Sequence, residues 1–256
     1  MPDYITELGT DLLTEWDARD IGGLANNDPI SSWPKTSYST EGNNLAQATG
    51  ARQPLYKTGT YPYAQYDGTD DVLSCNLVTD PAVIFIVLEA TIDATTRAIY
   101  SCLSGGNYHW AYIAGTTLTN AFAGTTPARS PATFWTSALD AVRLVFAVRV
   151  TSAAIGHYTA TIAKLDPITA RPSFAGAITV GGFNAGISYP WSGKIHHVLT
   201  CKTLTQEKIF RVMAQLRSEW GITGDVPLAG GTGGGDALID FVNARRAQSL
   251  LHGRIR

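Results

Sequence analysis

Three carboxylates within five residues, Asp67, Asp70 and Asp71, carry enough oxygen to hold a hard cation such as Ca²⁺. A tight turn at Asp67-Gly68, in which Asp side chains accept backbone N–H bonds, accounts for the same residues without an ion. The spacing is not that of an EF-hand loop, so the turn is the expected reading and the metal role the weaker one. Glycoside hydrolysis needs two carboxylates facing across a cleft, roughly 5 to 9.5 Å apart. Glu89 and Asp93 share strand parity, yet they would stand about 13 Å apart along an extended chain. His196-His197 falls in a strand pattern, which sends the two rings to opposite faces, so they cannot both bind one ion. One surface imidazole and one hydrogen-bonded core histidine are expected there, and His109 and His157 are isolated in sequence.

Nucleophile and cofactor signals are weaker still. Cys75, Cys102 and Cys201 are odd in number and widely spaced with no C-x-x-C, which reads as reduced thiols packed as small apolar groups. There is no G-x-S-x-G, and the glycine run at 230–235 lacks the Lys-Ser/Thr of a phosphate-binding loop. No catalytic residue and no cofactor are expected. Aromatic residues are the stronger binding signal. Tyr108, Trp110, Tyr112, Trp135, Tyr189 and Trp191 lie near Gly-rich or Pro-rich segments, where flat rings stack on sugars or anchor a protein partner. Structural packing accounts for them equally well, and Trp16, Trp33 and Trp220 are assigned to the core.

The elements that must position these residues are mostly strands. Charged residues are only 16% of the 256, against 30 threonines and 25 glycines, a composition suited to half-buried strands and poor for coiled coils or disordered chains. Val142–Val150 places Leu144, Phe146, Val148 and Val150 on one face, with Arg143, Val145, Ala147 and Arg149 on the other. Val83–Leu88 is apolar on both faces and predicts a central strand covered on both sides. Strands are also expected at 159–165, 178–180 and 194–201, and a hairpin turn at Asp67-Gly68. One helix follows the N-cap Thr205, with Ile209, Val212, Met213, Leu216 and Trp220 at helical spacing and Gly221 as its stop.

Net charge is −2, which argues against a nucleic-acid-binding surface, and no apolar run has the length of a membrane span. The start of the chain lacks a basic stretch followed by an apolar segment, so no secretory signal is read there. Charge is unevenly placed: Arg245, Arg246, Arg254 and Arg256 give the last sixteen residues +4, leaving −6 for residues 1–240. The expected organisation is a sandwich over 1–228, a flexible Gly-rich linker at 229–235, and a basic C-terminal docking arm at 236–256. Within the arm, Leu238, Phe241, Leu250 and Leu251 are the apolar anchors and Arg245, Arg246, Arg254 and Arg256 the charged ones.

Six segments in order then resemble one family. They are Trp16-Asp17-Ala18-Arg19-Asp20; Asn27-Asp28-Pro29-Ile30 with Trp33; Gln53-Pro54-Leu55-Tyr56; Tyr66-Asp67-Gly68-Thr69-Asp70-Asp71; Val180-Gly181-Gly182; and Trp191-Ser192-Gly193-Lys194-Ile195, closed by the helix ending Glu219-Trp220-Gly221. Together, over about residues 10–222, these resemble the concanavalin A-like (laminin G-like) jelly-roll domains of bacterial and phage proteins. His197 stands where members often carry Glu, 34–44 lacks their "D-x-S-G-N" run, and nothing matches the E-x-D-x-E strand of catalytic relatives. The resemblance implies an all-β, two-sheet antiparallel jelly-roll sandwich with one packed helix, whose concave face in relatives often holds a saccharide.

The expected function is that of a non-enzymatic structural or display protein of a tailed-phage or phage-like particle: a head decoration, fibre or tail component, located on the virion and assembled in the host cytoplasm. Its expected partners, met through the arm, are other virion proteins or copies of itself in a homo-oligomer, with cell-surface polysaccharide as a further ligand at Tyr108, Trp110, Trp135, Tyr189 and Trp191. Neither nucleic acid nor membrane insertion is expected. The alternatives are a free carbohydrate-binding lectin module and, behind it, a glycoside hydrolase.

Overall fold

The computed structural model describes residues 3–104, 107–114, 117–122, 141–151, 154–158, 163–167, 176–183 and 188–223. Trp135 and the whole linker and arm, with Leu238, Phe241, Arg245, Arg246, Leu250, Leu251, Arg254 and Arg256, lie outside them. The chain runs α1 (Asp3–Leu8), β1 (Leu12–Asp17), β2 (Ser32–Trp33), β3 (Leu45–Ala46), β4 (Leu55–Lys57), β5 (Tyr63–Asp67), β6 (Leu73–Asn76) and β7 (Val83–Ala90). It continues through β8 (Thr96–Ser104), β9 (Asn107–Ala114), β10 (Thr117–Phe122), β11 (Arg143–Val150), β12 (Ala154–Tyr158), β13 (Ala163–Pro167), β14 (Ala177–Val180), β15 (Ser192–Cys201) and α2 (Gln206–Glu219).

These strands form two antiparallel sheets. The eight-stranded sheet has the order β13-β12-β11-β7-β15-β5-β4, and the ten-residue β15 is long enough to pair β5 through its first half and β1 through its second. The seven-stranded sheet has the order β10-β9-β8-β14-β6-β3-β2. Alternation within the strands sorts the side chains. Ile84, Ile86 and Leu88 of β7 and Leu144, Phe146 and Val148 of β11 point between the sheets, where they meet Ile99, Cys102, Ala111, Ile113, Ile178 and the buried Trp16 and Trp33. The opposite parity, Val83, Phe85, Val87, Val145 and Ala147, faces α2 and forms a second core with Ile209, Val212, Met213, Leu216 and Trp220. The central strand β7 is thus buried on both faces along its whole length, as its apolar run predicts.

Both boundaries of α2 follow the sequence signals. The Thr205 hydroxyl accepts the Lys208 N–H at 3.2 Å, and Gly221 takes a left-handed φ of 61°. The short N-terminal helix α1 had no sequence signal strong enough to predict it. It buries Tyr4, Ile5 and Leu8 beside α2, so the outer face of the eight-stranded sheet is covered by two helices.

Two local expectations are corrected. Asp67-Gly68 does turn, with Gly68 at φ 80°, but β5 and β6 belong to different sheets, so the turn is an inter-sheet crossing and not a hairpin. His196 and His197 do not divide between surface and core. The register of β15 against β7 shifts between Ile195 and His197, and this bulge cancels the alternation. Both rings are fully buried, and both pack on Trp220, with centroids at 5.3 and 5.7 Å.

Candidate functional site

In β9 the residues alternate Tyr108, His109, Trp110, Ala111, Tyr112, Ile113. Ala111 and Ile113 enter the inter-sheet core and His109 is buried against Tyr100, so Tyr108, Trp110 and Tyr112 stand together on the outer face of the seven-stranded sheet. No described helix covers that face. The sequence suggests a loop setting for these three rings; a strand delivers them instead, and period-two spacing is what brings them to one side.

A second segment completes the cluster. The register of β8 against β9 shifts between Ala98 and Tyr100, and the bulge turns backbone groups of β8 toward the chain that follows β14. Ala98 N–H donates to the Tyr189 carbonyl at 2.8 Å, Gly181 N–H donates to the Ile99 carbonyl at 2.9 Å, and Trp191 N–H donates to the Gly181 carbonyl at 2.8 Å. Phe183 N–H closes the base of the 183–188 segment on the Ser188 carbonyl at 3.0 Å. Gly181 is required here: its φ is 86°, and a Cβ would fall into the ring of Tyr66.

Held this way, Phe183 and Tyr189 join Trp110. Trp110 stacks on Tyr112 with centroids 4.1 Å apart and planes 24° apart, and it meets Phe183 at 4.8 Å and Tyr189 at 5.1 Å. Tyr108 packs edge-on against Phe183 at 5.2 Å. Trp110 is therefore the hub, while Tyr189, 46% exposed, offers the open ring. Tyr189 also has φ 55° and precedes a proline, where a bulky residue strongly prefers extended backbone. Non-glycine residues in this region cost roughly 1–3 kcal/mol each and persist only where the surroundings hold them.

Of the predicted aromatic set, then, the structure brings Tyr108, Trp110 and Tyr189 together, with Tyr112 beside them. Trp191 is corrected: it is fully buried in the core between the sheets and presents no surface to a ligand. Phe183 was missed, although its position directly after Val180-Gly181-Gly182, at the end of a strand, was a usable signal.

Among the described residues, two clusters of acidic and histidine side chains bring their ligand atoms within 4.8 Å of one another. In the first, Glu15, Asp17 and His197, the groups are already occupied. Glu15 accepts from Tyr4 Oη at 2.7 Å, His197 Nε2 at 2.8 Å and Thr36 Oγ1 at 2.7 Å, and Asp17 is bound by Arg19. Burial pushes the Glu15 carboxyl up, and the bonds from His197, Thr36 and Tyr4 outweigh it and hold it below the usual range. Trp220 Nε1–H donates to His197 Nδ1 at 3.1 Å; because an indole only donates, the His197 proton sits on Nε2, facing Glu15. The cluster ties α1, β1, β15 and α2 together as a structural clamp.

The second cluster is Asp67, Asp70 and Asp71. Asp67 N–H donates to Asp71 Oδ2 at 2.9 Å, and Thr69 N–H donates to Asp67 Oδ1 at 2.7 Å, the bonds a turn requires. Burial, followed by repulsion from Asp67 and Asp70, pushes the Asp71 carboxyl up to about 6.

On the helix side of the eight-stranded sheet, Glu89 accepts from Lys194 Nζ at 2.5 Å and Arg143 Nε at 3.1 Å, and His196 Nε2 lies at 3.3 Å. Arg143 also donates to the Trp220 carbonyl at 3.0 Å, closing the end of α2. Glu89 and Asp93 form no pair: β7 ends at Ala90, and Asp93 turns away to Arg97.

No family model matches the chain, and no curated protein matches it. Solved structures do. Domain 4 of AbnA, a GH43 extracellular arabinanase from Geobacillus stearothermophilus in complex with arabinotriose, is 15% identical and aligns over 79% of this chain and 98% of that one, with a TM-score of 0.51. Trypanosoma rangeli sialidase in complex with sialic acid is 9% identical over 83% of this chain, which spans 37% of the sialidase, with a TM-score of 0.57. The likeness is one of fold: a two-sheet antiparallel β-sandwich.

Proposed function

We propose that this chain is a carbohydrate-binding sandwich module of the jelly-roll lectin type, with its ligand on the outer face of the seven-stranded sheet. The observation that carries the reading is Tyr189: an exposed ring, in a costly backbone conformation, braced against a cluster of four other aromatic side chains. Sugar C–H faces gain from such rings while their hydroxyls take polar partners. The arabinotriose complex of the AbnA domain, a sandwich of the same kind, supports the same class of ligand.

The test is calorimetric titration with oligosaccharides, comparing the parent protein with Tyr189→Ala, Trp110→Ala and the remote control Val78→Ala. Loss of one aromatic contact of about 1–1.5 kcal/mol weakens binding about tenfold. Val78→Ala should bind as the parent does. Equal affinity in all four proteins would remove the site from this face.

The finer reading is that the module is displayed, without catalytic activity, on a tailed-phage or phage-like particle and is docked there by the arm at 236–256. Its support lies in the sequence, in the spacer 229–235 and in Arg245, Arg246, Arg254 and Arg256. Seven flexible residues reach roughly 15 Å, enough for the arm to engage a neighbouring subunit without moving the sandwich. A protein truncated after residue 228 should fold and bind sugar yet fail to enter particles. Full incorporation of the truncated protein would leave the free lectin module standing alone.

A further inference from the structure

At the edge of the aromatic cluster lies Arg97, next in the chain to the Ala98 N–H that grips Tyr189. Its Nη1 donates to the Pro190 carbonyl at 3.2 Å and to the Gly68 carbonyl at 2.7 Å, and its Nη2 donates to Asp93 Oδ2 at 2.7 Å. One guanidinium thus bridges the segment that presents Tyr189 to the turn that carries Asp67, Asp70 and Asp71. Its Nε is buried, and the side chain as a whole is only 13% exposed.

Resting on the glycan-site reading above, we infer that the site selects neutral sugars over anionic ones, because Arg97 is consumed within the protein and the rim around it is acidic. Recognition of a sugar carboxylate calls for a free guanidinium or ammonium able to pair with it. Here Nη1 is spent on two main-chain carbonyls, and Nη2 is paired with Asp93. Around Arg97 stand Asp67, Asp70, Asp71 and Asp93, and the described cation added to them is Arg52, 3.8 Å from Asp70. Among the described residues, four carboxylates against two guanidinium groups leave the rim with two negative charges. The 184–187 segment, which joins Phe183 to Tyr189, contains no charged residue in the sequence.

The effect is long-range and screened. Two uncompensated charges about 10 Å from a sugar carboxylate in water weaken its binding about fourfold at low salt. At 1 M salt the screening length falls to roughly 3 Å and the penalty disappears.

The experiment uses matched probes on the full chain: galactan oligosaccharides against galacturonan oligosaccharides of equal length, and lactose against 3′-sialyllactose, each titrated at low salt and at 1 M NaCl. Asp70→Asn is run beside the parent; it removes one rim charge without touching the turn bonds made by Asp67 and Asp71. The expected result is binding of the neutral members and binding about fourfold or more weaker for their acidic partners. The gap should close in high salt and narrow about twofold in Asp70→Asn. Equal or tighter binding of the acidic partners would overturn the inference and leave the glycan site intact. If no probe binds, and Tyr189→Ala is indistinguishable from the parent on a wider oligosaccharide panel, the site itself is refuted and the inference falls with it.

Discussion

Replacing Glu89 by Gln tests the electrostatics that hold α2 to the sheet. Glu89 is buried on the helix side of β7, and Lys194, Arg143 and His196 surround it. Burial pushes its carboxyl up, but the bonds from His196 and Lys194 hold it at about 2 against an ordinary 4.5; because burial pushes the His196 imidazole down, the cations beside Glu89 at neutral pH are Lys194 and Arg143. A carboxyl depressed on folding stabilises above its unfolded value, and that stability is lost as pH falls through the folded one. The window is therefore pH 4.5 down to about 2. At 1.36 kcal/mol per pKa unit the contribution is about 3 kcal/mol at neutral pH, an upper figure because Lys194 is a third exposed and solvent screens it. Glutamine keeps the shape and one acceptor but not the charge. The melting temperature should then fall by roughly 6–12 °C at pH 7, given about 2–4 °C per kcal/mol in a domain of this size. The difference between parent and variant should shrink steadily as pH drops from 4.5 to 2. Parallel stability curves across that window would refute the reasoning.

Other outcomes follow from the same geometry. Asp71→Asn should stabilise at pH 7 by about 1–2 kcal/mol, because a carboxyl raised to about 6 is a cost when ionised. The gain should vanish only below about pH 3, where Asp71 is protonated in the folded and the unfolded chain alike, as chemical denaturation at pH 7 and at pH 3 will show. If Ca²⁺ instead raises the parent's melting temperature and Asp71→Asn abolishes that rise, the acidic turn is a cation site. Gly181→Ala should cost several kcal/mol or prevent folding, since it combines a φ of 86° with a collision against Tyr66; a near-parental melting curve would contradict the packing. Trp220→Phe keeps an aromatic ring but strands His197 Nδ1 and opens a cavity beside it, and should cost at least about 1–3 kcal/mol in denaturant titrations.

Much of the architecture is legible in local pattern. The alternation of Leu144, Phe146 and Val148, the doubly apolar Val83–Leu88 and the capped helix after Thr205 each declare their faces, because burial in a two-sheet sandwich imposes period two and helix docking imposes 3.6. Trp220 was legible as core from its place in the helical spacing, and Trp16 and Trp33, assigned to the core, are fully buried as well. The candidate site was legible as residue types but not as a set. Whether an aromatic ring stacks on a ligand or fills a core depends on which side of which sheet it occupies, and Trp191 and Tyr189, two residues apart, went opposite ways.

Only the tertiary structure decided the rest, and bulges are the main reason. One extra residue in β15 put His196 and His197 on the same side, and a register shift in β8 created the backbone bonds that present Tyr189. A bulge is settled by what two paired strands require of each other, so neither strand's own sequence announces it. The same holds for Arg97: its residue type promises a free cation, and only the arrival of Gly68, Asp93 and Pro190 from three separate segments shows that its charge is already committed.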